Sequence, residues 1–91
     1  MYDDRLDVGF VGADEAGPYL DLRCGDSSVR VRQQLSFAYE GDRVSLVVTR
    51  IEIYGVAVDV LDHGLTARVW VRPSDSAKLV VSGTLLTPGP M

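Results

Sequence analysis

The chain's only histidine, His63, stands between Asp62 and Gly64. A carboxylate beside an imidazole is the beginning of a general-base pair, because the acid can fix the ring's tautomer while the ring accepts a proton. Adjacent loop residues do not by themselves assemble a nucleophile or an oxyanion site, and no G-x-S-x-G elbow occurs. Asp-His-Gly is equally the chemistry of a tight turn, in which glycine supplies the left-handed conformation. Asp62-His63-Gly64 therefore reads as a turn. Cys24 is in phase with Leu20 and Leu22 and has no histidine near it in sequence, so it reads as a small buried hydrophobe. Asp14-Glu15 and the group Asp3, Asp4 and Asp7 offer oxygens to a hard cation. They lack the repeated oxygen spacing of a calcium loop and read as solvated polar edges. These residues give no expectation of a catalytic group, a metal ligand or a cofactor.

One grouping keeps its interest. Arg68 and Arg72 flank Trp70 at alternate positions, and guanidinium groups beside aromatic planes suit a protein contact or stacking on single-stranded nucleic acid. Arg30 and Arg32 share the solvent side of another strand and could extend the same surface.

Composition bounds what can position these residues. Ninety-one residues, 46% of them hydrophobic, fit a single folded domain over 1–91 with one core. A lone cysteine excludes an intrachain disulfide and a four-thiolate zinc site within one chain. No stretch is apolar for long enough to cross a bilayer, and MYDDRLD lacks the basic-then-apolar order of a secretory leader. The expectation is a soluble cytoplasmic protein without a membrane role. A formal charge of −4, from 13 acidic and 9 basic residues, works against a non-specific hold on phosphate.

Alternation with a period of two dominates the chain, which predicts an all-β fold. Leu6, Val8 and Phe10 mark a first strand ending near Gly12, and GADEAGP reads as a turn region. Leu20, Leu22 and Cys24 oppose Tyr19, Asp21 and Arg23, and Gly25-Asp26 follows as a hairpin turn. Val29, Val31, Leu35, Phe37 and Tyr39 form one row, interrupted by Gln33, in a long strand bent near the glutamine pair. After the turn Glu40-Gly41-Asp42, the phase set by Val44, Leu46 and Val48 shifts to Ile51 and Ile53. Such a shift places a β-bulge near Thr49-Arg50.

If Asp62, His63 and Gly64 close a three-residue loop, Leu61 faces Leu65 and the register follows: Val58 faces Arg68, Val56 faces Trp70 and Tyr54 faces Arg72. Both faces of this hairpin are then largely apolar, and one of them needs a cover outside the domain's own core. Pro73-Ser74-Asp75-Ser76 ends the strand with turn chemistry, and Lys78 to Leu86 supplies a last strand. Six to seven short antiparallel strands fit a small barrel or sandwich.

The run Gly41 to Val71, GDRVSLVVTRIEIYGVAVDVLDHGLTARVWV, resembles the first half of an S1-type RNA-binding domain of the OB-fold class. The likeness is carried by the Gly-Asp opening of a strand, by Thr-Arg-Ile leading to the aromatic-glycine pair Tyr54-Gly55, and by an Asp-x-Gly turn feeding a Val-rich strand. The resemblance implies a face on which Tyr54, Arg68 and Trp70 meet single-stranded RNA. Ala57 and Trp70 stand where the family carries a second aromatic and a histidine, and only about a third of the chain is covered.

Three functions are therefore carried forward. The first is a noncatalytic domain that binds a protein partner or itself through Tyr54, Val56, Val58 and Trp70. The second is single-stranded nucleic-acid binding through Tyr54, Arg68, Trp70 and Arg72. The third is a small enzyme whose residues come together only in the fold. A monomer in dilute solution with Trp70 fully packed in its own core would overturn the first.

Overall fold

The computed structural model describes residues 5–89. Its elements are β1 (Leu6–Asp14), β2 (Gly17–Cys24), β3 (Val29–Arg30), β4 (Gln34–Tyr39), β5 (Asp42–Ile53), β6 (Val56–Val58), β7 (Val60–Leu61), β8 (Thr66–Arg72), the single helical turn α1 (Ser74–Ala77) and β9 (Leu85–Pro88). Six strands in the order β4-β9-β1-β2-β8-β5 close on themselves through the β4–β5 pairing, and every pairing is antiparallel. The fold is a closed barrel rather than a sandwich. β6 extends the far end of β5, and β3 with β7 forms a separate two-stranded ribbon.

The period-two pattern becomes an inside and an outside. Leu6, Val8, Leu20, Leu22, Leu35, Leu46, Val48, Ile51, Val69 and Leu86 are each at most 2% exposed and share one core with Cys24 and Leu61. Charged and aromatic groups at the intervening positions face outward. The bulge anticipated at Thr49-Arg50 is present: the β5–β8 register shifts between Val48 and Arg50, which keeps both Leu46 and Ile51 in the core. A second shift in β1 lies between Val8 and Phe10. There the alternation of Leu6, Val8 and Phe10 conceals a change of side, and Phe10 emerges 52% exposed.

Gln33 earns its buried place by hydrogen bonding. Its Oε1 accepts from the Arg30 N–H at 2.9 Å and its Nε2 donates to the Gly89 carbonyl at 2.8 Å, which ties the turn before β4 to the end of β9. The long bent strand expected from Val29 to Tyr39 is thereby split into β3 and β4.

Several expectations are corrected. The segment 54–61 does not pair with 65–72. Instead β6 folds back on β5 through a two-residue turn at Tyr54-Gly55, with Ile53 facing Val56 and Ile51 facing Val58. β7 pairs with β3, and β8 lies between β2 and β5. Alternation assigns faces but not partners, so a local hairpin and these long-range pairings fit the same pattern equally well. Gly25-Asp26 is a bend leading away from β2 to the β3–β7 ribbon, not a hairpin turn. Pro73 to Ala77 forms a helical turn with Ala77 buried, and residues 78–84 make turns rather than a strand. The described residues contain no helix long and apolar enough to cross a membrane.

Candidate functional site

Asp62-His63-Gly64 is a turn. The Leu65 N–H donates to the Asp62 carbonyl at 3.3 Å, and the Gly64 N–H donates to the carbonyls of Cys24 and Gly25 at 3.0 and 3.1 Å. Gly64 has φ of +78°, the conformation glycine tolerates best, and His63 is exposed to solvent. Cys24 is 1% exposed, and its thiol lies 3.9 Å from the Leu61 carbonyl. Burial, reinforced by the Asp62 carboxylate, pushes its pKa up to about 11, so the nucleophilic thiolate is scarce at neutral pH. Asp3 and Asp4 lie outside the described residues. The Asp14 carboxylate binds protein groups, accepting from Trp70 Nε1 and from the Ala16 N–H, each at 2.9 Å. Among the described residues no group of three or more His, Cys, Asp or Glu side chains is placed to hold a metal ion.

The surface with chemical character is the outer side of β2, β8 and the second half of β5. Tyr19 faces Trp70 and Asp21 faces Arg68 across β2–β8, while Arg50 faces Trp70 and Glu52 faces Arg68 across β5–β8. Directly opposed residues share a face, so two aromatics, two arginines and two carboxylates are gathered there. The Arg68 guanidinium lies 4.1 Å from the Tyr19 ring centroid and donates from Nε to Asp21 at 3.1 Å. That hydrogen bond is the main reason its pKa is raised further. Arg50 lies 5.7 Å from the Trp70 ring centroid and donates to Glu52 at 2.6 Å. Each cation is thus held over an aromatic ring by a carboxylate.

Beneath this layer Tyr19 stacks on Phe10, with centroids 6.3 Å apart, and tilts against Trp70 at 5.7 Å. The Tyr19 ring lies over Gly12 of β1, where a Cβ would come within 2.6 Å of the ring. Only glycine at that position allows the ring to lie down on the sheet.

The residues anticipated for binding are therefore divided. Tyr54 and Arg68 share the margin of one shallow concavity of about 510 Å³, lined also by Asp21, Glu52, Gly55 and Thr66. Trp70 is on the same outer face but only 4% exposed, covered by Tyr19 and Arg50 and anchored by Asp14. Its expected role as an open contact is corrected: the ring is a base on which other groups rest. Val56 and Val58 oppose Ile53 and Ile51 and so lie on the inward side of the β5–β6 arm, away from Trp70. Val56 is 63% exposed because the arm projects past the barrel, whereas Val58 packs partly against the core. Arg72 follows Trp70 on the outer side of β8 and faces Val47, far along the ladder from Tyr54. Tyr19 of β2 was missed because alternation does not say which strands β2 pairs with, and Phe10 of β1 because the shift after Val8 hides its outward side.

Tyr54 itself is an outlier. Its backbone has φ of +51° and its ring is fully exposed. With Gly55 at +79° it forms a two-residue hairpin turn of the kind that asparagine-glycine serves best.

Fold and site together define a small closed antiparallel barrel that carries an aromatic and arginine cluster on its outer wall. No protein-family model matches the chain, and no curated protein matches it.

Proposed function

We infer that the chain is a noncatalytic binding domain that contacts a protein partner through the outer face around Tyr54, Arg68 and Tyr19. The observation that carries this reading is Tyr54. A tyrosine at positive φ costs the fold on the order of 1 kcal/mol against asparagine or glycine, and a fully exposed ring returns no packing energy. A residue held at a cost to the turn and bare to solvent on a short two-residue loop has the character of a contact residue. The adjoining arginines support it, since their carboxylate partners already fix their positions and little side-chain entropy is lost when they are covered.

The charge of the face favours protein over nucleic acid. The face is mixed in sign, with Asp14, Asp21 and Glu52 beside Arg23, Arg50, Arg68 and Arg72, and the two arginines at its centre, Arg50 and Arg68, are already engaged by carboxylates. A single-stranded RNA surface needs a positive groove with open aromatic planes, and Trp70 offers no open plane.

The test is to select binders from a displayed peptide library on the wild-type domain and to measure each again on Tyr54→Ala and Arg68→Ala variants. Binding that falls at least about tenfold on both variants supports the reading. Binders indifferent to both substitutions contradict it. Wild-type binding to single-stranded oligouridine at low salt, lost in the same variants, would transfer the face to RNA.

A further inference from the structure

We propose that the free edge of β1 is a self-association site, at which Val11 to Ala13 of one copy pair antiparallel with the same residues of a second copy. This inference is independent of the outer face and its partner.

Pro18 fixes which backbone groups of β1 face β2. Ala13 faces Pro18 in the β1–β2 ladder, and proline has no N–H to donate. That pair is therefore a non-bonded one, and strict alternation makes Gly12–Tyr19 and Phe10–Asp21 the bonded pairs. The N–H and C=O groups of Val11 and Ala13 must point to the opposite edge. There β9 pairs only with Leu6 and Asp7, and the turn before it reaches only Val8 and Gly9. Among the described residues nothing pairs with β1 beyond that point, so two donors and two acceptors stand open in a row.

The side chains beside this edge are equally specific. On the inward side, Val11, Ala13 and Pro18 face Ala77 of α1 across a largely apolar crevice of about 360 Å³, which Ser74 and Lys78 also line. A strand added at the edge places alternate side chains there, and small apolar ones fit. β1 itself carries Val11 and Ala13 at that alternation. Centred on Gly12, an antiparallel second copy sets Val11 against Ala13 twice, which satisfies all four donors and acceptors of each such pair of residues by symmetry.

Charge and edge design point to the same occupant. Natural edge strands are commonly guarded by lysine, proline or an inward charge, and residues 10–13 contain none. Two copies of an acidic protein can meet along this stretch without opposing like charges, because Asp14 falls across from Phe10.

The experiment is size-exclusion chromatography with light scattering on the full chain across protein concentration, with amide exchange followed by NMR. The wild type is expected to form a dimer as concentration rises, with exchange at Val11 and Ala13 slowing and that at Ala57 unchanged. Ala13→Pro removes an N–H that bonds nothing within its own copy and should weaken dimerisation about tenfold or more. A wild type that stays monomeric, a dimer that Ala13→Pro leaves intact, or exchange at Val11 and Ala13 indifferent to concentration overturns the proposal. If the proline variant unfolds, the wild-type exchange data decide. Loss of the dimer with peptide binding retained separates this edge from the outer face.

Discussion

β5 is entered and left through turns of the same backbone type, yet the two ends of the strand serve different purposes. Glu40-Gly41 and Tyr54-Gly55 both place two successive residues at positive φ. The first turn launches six β4–β5 pairs, with Leu35, Phe37 and Leu46 buried inside the barrel. The second launches three β5–β6 pairs and leaves Val56 largely exposed. A glutamate in the first turn is an ordinary solvated group, whereas a tyrosine in the second leaves a whole aromatic ring in water. The same backbone geometry thus occurs in two settings: the first turn joins two strands of the barrel wall, and the second sends β6 out past it, although Ile51 between them still packs in the core.

The largest expected effect comes from the barrel wall. Leu46→Ala should destabilise the domain by about 2–5 kcal/mol in urea unfolding, and a loss well under 1 kcal/mol would erase the difference between the two settings. Asp14→Ala should cost about 1–3 kcal/mol, because it leaves the Trp70 N–H buried without its acceptor. Trp70 fluorescence should shift with it, and an unchanged spectrum would show that the carboxylate does not hold the ring. On the projecting arm, Val56→Ala should change stability by no more than about 0.5 kcal/mol. A larger loss would mean that the arm contributes to the core.

The smallest effect at neutral pH belongs to Cys24, away from β5. Its folded pKa is raised from 9.0 to about 11, so between those values the unfolded chain has released a proton that the folded one keeps. The unfolded state then binds fewer protons, and stability falls as pH rises through that window while staying level below it. Urea midpoints against pH, compared with those of Cys24→Ala, check the sign: the wild type alone should show the decline.

Much of the barrel was legible from residue types. The core rows of β2 and β5, the Glu40-Gly41 turn and the bulge near Thr49-Arg50 follow from alternation and its one visible break. Tyr54-Gly55 reads as strand from sequence because a tyrosine at positive φ is not the residue that the turn favours. That error displaced the hairpin to Asp62-His63-Gly64 and set Trp70 against Val56. The true neighbours of Trp70 are Tyr19 and Arg50, some 50 and 20 positions away respectively, and no local pattern encodes those pairings. The helical turn at Ser74–Ala77 is too short to show a period. Of the anticipated site, Tyr54 and Arg68 do share a surface, whereas Val56 and Val58 lie on another side of the arm.

The central claim is that Tyr54 serves contact at the fold's expense, and equilibrium urea unfolding of Tyr54→Asn tests it most directly, with Glu40→Asn as the control for the shared turn geometry. The account predicts a higher midpoint for Tyr54→Asn, equivalent to a gain of about 1 kcal/mol at an unchanged slope. A lower midpoint would show that the tyrosine supports the fold and would contradict its assignment as a contact residue.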